Sequence, residues 1–166
     1  MRKRLTKVIE ALIVFLLLGQ STSMASGWKG VKWGSNPNEV MSSSTKDVRK
    51  TTNSERRNQS WTSGGQRTMV AKLHASHETS GITFDAWFLF DKQSDALQCV
   101  NLVPRTEVNS GSLKQELIEV YGAPDSEGSI PFKDVTTWLE NGTKIEFQDG
   151  GTGFRNIVYC ERDSEF

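Results

Sequence analysis

The chain has 166 residues, of which 20 are Lys or Arg and 20 are Asp or Glu. Positions 1–25 hold four of the basic and one of the acidic residues, so the remaining 141 residues carry 16 and 19 and are slightly acidic. A nucleic-acid partner needs a concentrated basic face to displace counterions from phosphates, so we expect no nucleic-acid partner. A length of 141 residues suits one domain with one hydrophobic core.

The N-terminal residues 1–25 predict a secretory signal peptide. The basic stretch MRKRLTK precedes the unbroken apolar run ALIVFLLL, and Ser23 and Ala25 are small residues at the positions that signal peptidase reads. The apolar run covers about 12 Å of helix, against roughly 30 Å of bilayer core, so we expect no stable membrane span after cleavage; an uncleaved anchor is the alternative. The mature chain is predicted to start at Ser26, to form a single domain over 26–166, and to be periplasmic or secreted.

A short helix is predicted at the stretch WGSNPNEV. Asn36 is a good N-cap, Pro37 suits the first helical position, and Glu39 completes a capping box. The following SSSTKD contains poor helix formers, so we expect only two or three turns. We expect Trp33 to pack over the start of the helix as a structural aromatic, the alternative being an exposed ligand platform. Trp28 is expected to be less buried, because it lies near the new N-terminus.

The segment 43–66 is low in apolar residues and is predicted to be a long polar connection, of the kind that is functional or mobile in small domains. Its one large apolar side chain is Trp61, which together with Trp87 forms a candidate binding surface. The basic residues of this region are predicted to lie in a solvated loop. They are Lys46, Arg49, Lys50, Arg56 and Arg57.

Three strands are predicted in the middle of the chain, at RTMVAKLH, ITFDAWFLF and ALQCVNLV. The polar turn DKQSD joins the last two into a hairpin. In the central strand Phe84, Phe88 and Phe90 alternate onto one face, and Trp87 and Leu89 fall on the other. We therefore expect both faces of this strand to be partly covered.

A second helix is predicted from Ser112. Gln115 follows it at capping-box spacing, Gly122 is a ready C-terminal cap, and Pro124 prevents continuation. The apolar stripe of this helix at i, i+4, i+7 and i+8 consists of Leu113, Leu117, Val120 and Tyr121.

The stretch VTTWLENGTKIEFQD predicts a hairpin with a two-residue Asn-Gly turn at 141–142. Counting outward from the turn pairs the structural aromatic Trp138 with Ile145. The next pair on that face is Thr136 with Phe147. The glycine-rich turn GGTG then leads into FRNIVYCER as the last strand. The order of elements predicts an α+β domain with an antiparallel β-sheet of about five to six strands and two helices packed against it.

Cys99 and Cys160 are the two cysteines of the chain, and each lies in a predicted strand. A shared sheet could bring their Cα atoms within the roughly 7 Å that a disulfide requires, and an oxidising compartment would preserve the bond. We expect a structural disulfide, with two buried free thiols as the alternative. A reactive thiol pair is not indicated, because the chain lacks Cys-x-x-Cys spacing.

Motifs for catalysis are weak. His74 and His77, with Glu78, are weak candidates for a zinc site, but their spacing suits a helical face and the sequence there predicts a strand end. No Gly-x-Ser-x-Gly elbow is present, GGTG lacks the residues of a phosphate loop, and Asp91 and Asp95 flank a turn where solvated carboxylates are expected. The prediction is therefore no enzyme, no metal and no cofactor.

The series GVKWGSNPNEV, FLF with ALQCVNL, ELIEVYGAP, TTWLENGTKIEF and NIVYC resembles a group of small secreted bacterial domains. In architecture it is similar to the β-lactamase-inhibitor-like arrangement of helices on an antiparallel sheet, which outer-membrane assembly lipoproteins share. The chain lacks the lipid-bearing cysteine of those lipoproteins. The resemblance implies an envelope or extracellular protein partner.

Two functions are compatible with the sequence. The first is a non-catalytic periplasmic or secreted protein-binding module, of inhibitor or envelope-assembly type, that docks its partner through a sheet face or the polar segment. The second is a metal-dependent hydrolase that uses His74 and His77.

Overall fold

The structure is a computed structural model that describes residues 27–44, 47–63, 67–151 and 153–163. The predicted signal peptide, Ser26 and Lys46 lie outside these residues. The helices are α1 (Pro37–Ser43), α2 (Asn53–Asn58) and α3 (Ser110–Tyr121). The strands are β1 (Gly27–Trp28), β2 (Val31–Lys32), β3 (Arg49–Lys50), β4 (Trp61–Ser63), β5 (Arg67–Thr79), β6 (Ile82–Asp91), β7 (Leu97–Pro104), β8 (Ser126–Ile130), β9 (Lys133–Glu140), β10 (Thr143–Asp149) and β11 (Arg155–Glu161).

One large antiparallel sheet dominates the fold. Its order is β3-β5-β6-β7-β11-β10-β9-β8, with β4 also paired to β5, while β1 and β2 form a separate hairpin. The antiparallel, mixed helix-and-strand class is confirmed. The predicted count of five to six strands and two helices is wrong, since the described residues contain a nine-stranded sheet and three helices. The short strands β3, β4 and β8 lack apolar alternation, so a count based on hydrophobic pattern misses them.

The helix α1 begins as predicted. The Asn36 side chain accepts hydrogen bonds from the backbone N–H groups of Asn38 and Glu39, and Glu39 Oε2 accepts from the Asn36 N–H at 2.8 Å. Val40 on this helix is fully buried. The capping box therefore positions a short helix whose inner face reaches the core.

The polar segment 43–66 contains a helix that the sequence analysis missed. In α2 the Thr52 side chain accepts from the Glu55 N–H at 3.2 Å, and Glu55 Oε2 accepts from the Thr52 N–H at 2.8 Å. Arg49 donates to both Glu55 oxygens at 2.7 and 3.0 Å, and this pairing, with the Thr52 N–H, lowers the pKa of Glu55 to about 2. The Thr-x-x-Glu spacing of Thr52 and Glu55 is a capping-box pattern, which predicts the start of a helix at this position.

Trp28 and Trp33 are both buried, with 5% and 8% of their surface exposed. Trp33 donates its indole N–H to Thr143 Oγ1 at 3.0 Å, which supports its structural role. The expectation that Trp28 is the less buried of the two is wrong. The β1–β2 hairpin folds the Trp28 ring against Phe88, at a centroid distance of 5.7 Å, so nearness to the predicted terminus does not expose it.

The helix α3 begins at Ser110, earlier than the predicted Ser112. Asn109 is its N-cap, because its side-chain oxygen accepts from the Ser112 N–H at 2.9 Å. The helix ends at Gly122, whose φ of 81° lies in the left-handed region that glycine adopts without strain.

Three of the four residues of the predicted apolar stripe of α3 pack against the core. Leu113 and Leu117 are buried, Tyr121 packs beside them, and Val120 is 70% exposed. The prediction for Val120 is therefore wrong. At the end of the helix, Trp138 of the sheet donates its indole N–H to the Gly122 carbonyl at 3.0 Å.

The β9–β10 hairpin has the predicted register. Trp138 lies opposite Ile145, and Thr136 lies opposite Phe147. The 141–142 turn has positive φ at both residues, 44° and 77°. A two-residue turn of this kind matches the twist of the flanking strands and so determines which side chains share a face.

Apolar side chains cover both faces of β6, as predicted. The main core joins one face of the sheet to α1, α3 and the β1–β2 hairpin, and includes Phe84, Phe88, Phe90, Leu113 and Trp138. A smaller cluster on the other face consists of Met69, Ala71, Leu89, Cys99, Val158 and Cys160, with Trp61 packed against it. No helix within the described residues has the length and apolarity needed to cross a membrane.

Candidate functional site

The weak metal candidates His74 and His77 do not share a site. They lie three residues apart on β5, so their side chains point to opposite faces of the sheet. His74 contacts the Trp87 ring at a centroid distance of 4.4 Å, whereas His77 contacts Trp28 at 5.3 Å. Within the described ranges no three His, Cys, Asp or Glu side chains form a group that could hold a metal ion.

Asp85 holds His74 in place. Its Oδ1 is 2.7 Å from His74 Nε2 and accepts two bonds from Arg105, at 2.9 and 3.0 Å. Burial by itself raises the pKa of Asp85, but the hydrogen bonds and charges of His74 and Arg105 outweigh it, so the pKa lies below its ordinary value. A carboxylate engaged by these donors serves as an anchor for neighbouring strands and is poorly placed to accept a substrate proton.

Asp85 should make the stability of the protein depend on pH. Because its pKa is lower in the folded chain, the contribution is complete above the unfolded value of about 3.9 and is lost as the pH falls through the folded pKa. We expect Asp85→Asn to flatten the loss of stability below about pH 4, measured as urea midpoints across the acid range. Asp163→Asn, at an exposed position, is the control. An Asp85→Asn profile parallel to that of the wild type would contradict the assignment.

Asp91 is not the solvated carboxylate that the sequence predicted. It is 8% exposed, and its Oδ1 accepts from the N–H groups of Gln93 and Ser94 and from the Ser94 hydroxyl at 2.7 to 2.9 Å. Asp95 forms an ion pair with Lys72. Both carboxylates therefore stabilise the β6–β7 turn and its neighbour β5.

The candidate binding aromatics Trp61 and Trp87 are packed against the protein. Trp87 is 7% exposed, with the His74 ring against it. Trp61 is half-buried and packs against the cluster that contains the disulfide. Trp87 therefore offers little surface to a partner, whereas part of Trp61 stays accessible.

Cys99 and Cys160 form the predicted disulfide. They lie directly opposite each other on β7 and β11, with Cα atoms 4.0 Å apart and an S–S distance of 2.05 Å. Both residues are buried. The bond closes a sequence separation of 61 residues and joins the central strand β7 to the last strand of the chain.

Three of the five large exposed apolar side chains of the described residues lie at one end of the sheet. Ile130 is 51% exposed at the end of β8, Phe132 is 96% exposed in the β8–β9 turn, and Phe154 is 54% exposed beside the β10–β11 turn. We call these three residues the apolar tip. Single exposed apolar residues are common, but neighbouring ones mark interaction sites.

The two phenylalanines belong to adjacent turns. A Cβ atom added to Gly150 would lie 2.9 Å from Phe154 Cδ1 and 3.3 Å from the Phe132 carbonyl oxygen. The Lys133 ammonium is 6.0 Å from the centroid of the Phe154 ring. The two phenylalanines therefore lie in neighbouring turns, with a cation beside Phe154.

The backbone at Phe132 is unusual. Its φ of 72° lies in the left-handed region, which a bulky side chain adopts at a cost of about 1 to 2 kcal/mol. Glycine would avoid that cost. Strain of this kind at an exposed aromatic residue points to a role outside the folding of the domain.

The strand β8 beside the apolar tip has a free edge. All of its residues, Ser126–Ile130, are exposed, and within the described chain it pairs on one side only, with β9. At the opposite end of the sheet, β3 and β4 pair with the outer side of β5 between Arg67 and His74. The outward N–H and C=O groups of β8 can therefore pair with an added strand, and we call them the β8 edge.

Sequence reasoning missed this surface because SEGSI is polar and shows no strand alternation. The one available signal was Phe132 itself, since an aromatic residue directly after Pro131 stands where a polar turn residue is usual. The turn of Phe132 adjoins the turn of Phe154 because strands distant in the sequence pair with each other, and no local sequence pattern predicts that pairing.

In comparisons with known proteins, no family model, no curated protein and no solved structure matches the chain. The resemblance to small secreted domains therefore stays a prediction.

Proposed function

We propose that the protein is a non-catalytic, periplasmic or secreted protein-binding module. Its docking surface consists of the β8 edge and the apolar tip, and its partner is an envelope or extracellular protein that contributes an extended segment. The observation that carries the proposal is Phe132, 96% exposed in a strained turn at the end of a free edge strand. The disulfide is in keeping with an oxidising compartment.

Strand addition uses the two parts of the surface differently. Backbone hydrogen bonds along β8 supply affinity for any extended chain, and side-chain contacts select among chains. Because β8 has only five residues, the backbone bonds are few, and the apolar tip must supply much of the binding energy. Full burial of a phenylalanine side chain contributes about 1.5 to 3 kcal/mol.

The carboxylate on β8 adds little net charge to the docking surface. Glu127 on β8 forms an ion pair with Lys114 of α3 at 3.1 Å, so this carboxylate is already matched within the domain. Glu127 therefore presents less net charge to an incoming strand. The partner segment is expected to be extended and apolar where it meets the tip, and no strong charge is required of it.

Removing the Phe132 ring should weaken partner binding without lowering the stability of the domain. We expect Phe132→Gly to weaken partner binding at least about tenfold, which is 1.4 kcal/mol. The same change should leave the free energy of unfolding equal or higher, because glycine adopts a φ of 72° without strain. The measurements are calorimetric titration of the purified partner and urea unfolding of each variant.

The partner is first obtained by photocrosslinking in envelope extract from a probe at position 132. The matched control is position 92, since Lys92 is exposed in the β6–β7 turn, away from the tip. A Phe132→Gly variant that binds as tightly as the wild type would overturn the proposal, as would equal crosslinking from both positions. If the captured chain is a second copy of this protein, the surface is a dimer interface and the proposed module role fails.

A further inference from the structure

A groove of about 420 Å³ lies between α3, the β1–β2 hairpin and the sheet. Its floor includes Leu102, Ile145 and Ile157. Pockets of this size that are lined by apolar side chains with a few polar groups are typical sites for small ligands. None of the residues of the apolar tip or of β8 lines it, so the groove is independent of the docking surface.

The walls of the groove are aromatic and already positioned. The Trp28 ring is 5% exposed, with the His77 ring in an edge-to-face arrangement at a centroid distance of 5.3 Å and the tilted Tyr159 ring at 6.2 Å. The hydroxyl groups of Tyr121 and Tyr159 lie 3.3 Å apart. Burial, with a smaller contribution from Tyr121, raises the pKa of Tyr159, so its hydroxyl stays neutral. These rings form a wall that needs little rearrangement to accept a ligand.

Two carboxylates, each from a different secondary-structure element, line the groove. Glu116 projects from α3 and Glu140 from the end of β9, and both are half-buried. Within the described part of the chain neither carboxylate has an ion pair or a hydrogen bond. The described lining residues include one basic side chain, that of Lys29, which is exposed in the β1–β2 turn. The described lining of the groove therefore carries two carboxylates and one ammonium group beside apolar and aromatic side chains.

We propose that this groove binds an organic cation with an apolar or aromatic body. The body packs against the Leu102 floor and the Trp28 wall, and the ammonium or guanidinium group lies near Glu116 and Glu140. Binding of a cation there is stabilised by both the carboxylates and the faces of the aromatic rings. Binding of a neutral molecule of the same shape is stabilised by the apolar contact alone. A free amine and a basic side chain of a peptide share this chemistry.

The test is calorimetric titration of the mature protein with 2-phenylethylammonium and with the neutral, similarly shaped 2-phenylethanol. We expect the ammonium to bind about tenfold more tightly than the alcohol. Glu116→Gln and Glu140→Gln should each weaken binding of the ammonium about threefold or more and leave binding of the alcohol unchanged. Glu119→Gln is the matched control, because Glu119 is an exposed carboxylate on the same helix that does not line the groove.

A third arm identifies the source of the cation. The probe is N-acetyl-phenylalanyl-lysine amide, which carries its charge on a side chain. Tighter binding of this dipeptide than of 2-phenylethylammonium indicates a peptide ligand, and the reverse indicates a free amine. Either result supports the site. Equal affinity for the ammonium and the alcohol would overturn the proposal, as would undetectable binding of the ammonium. Two glutamine variants that fold and bind like the wild type would do so independently. Phe132→Gly should keep its affinity for the ammonium, so failure of the docking surface and failure of the groove are separate results.

Discussion

Replacing Cys99 and Cys160 together by alanine is expected to lower the free energy of unfolding by about 4 kcal/mol. The disulfide closes a separation of 61 residues, and in the chain-entropy model a loop of this length removes that much freedom from the unfolded chain. The enclosed segment contains α3, the strands β8, β9 and β10 and most of β11, which together are the part of the sheet beyond β7. Since a domain of this size has a stability of about 5 to 15 kcal/mol, the loss is a large fraction of the total.

The measurement is urea unfolding of the double variant beside the wild type, each with and without a reductant. The wild type should lose stability when reduced, and the double variant should not respond. Thiol titration of the denatured, unreduced mature protein gives an independent check. Two free thiols per chain in material isolated from its native compartment would contradict the disulfide.

Trp138→Ala is expected to lower the free energy of unfolding by about 3 to 5 kcal/mol, the range for removing a large buried aromatic side chain. Trp138 is 1% exposed, lies opposite Ile145 in the β9–β10 hairpin, and has the Tyr121 ring at a centroid distance of 6.3 Å. Its indole N–H also donates to the Gly122 carbonyl, where α3 ends. Alanine would leave a cavity and remove the partner of that carbonyl.

Two variants separate these effects. Trp138→Phe keeps most of the packing and loses the hydrogen bond, so it should cost about 1 to 2 kcal/mol from the bond, plus a smaller packing loss. Leu139→Ala is the control, because Leu139 is the next residue on the opposite face of β9 and is 38% exposed. It should cost less than about 1 kcal/mol. If Trp138→Ala and Leu139→Ala unfold at the same urea concentration, the proposed role of Trp138 in the core is wrong.

The features that the sequence predicted correctly depend on residues close together in the chain. Asn36 and Glu39 form the capping box of α1 because the groups involved lie within one helical turn. The Asn-Gly turn at 141–142 determines the register of its hairpin, and thus the pairing of Trp138 with Ile145, because a two-residue turn leaves a single alignment of the strands. A capping box of the same kind is present in the sequence at the start of α2, but the sequence analysis did not recognise it.

The pairing of Cys99 with Cys160 was predictable for a different reason. The chain has two cysteines, so one pairing exists, and their location in strands made a shared sheet the natural setting. That they lie directly opposite each other on β7 and β11 is a property of the sheet order. Sequence reasoning therefore identified the bond but did not predict which strands would be neighbours.

Caps, turns and hydrophobic alternation act over a few residues, so they predicted the class of the fold, the start of α1 and the turn of the last long hairpin, while the presence of two cysteines predicted the disulfide. The separation of His74 from His77 follows from the alternation of side chains along β5. The number of strands, the burial of Trp28 and the adjacency of the turns that carry Phe132 and Phe154 depend on which distant segments lie side by side, so they became visible only in the three-dimensional structure. Edge strands such as β8 need no apolar pattern, since they bury little surface and are held by pairing with one neighbour.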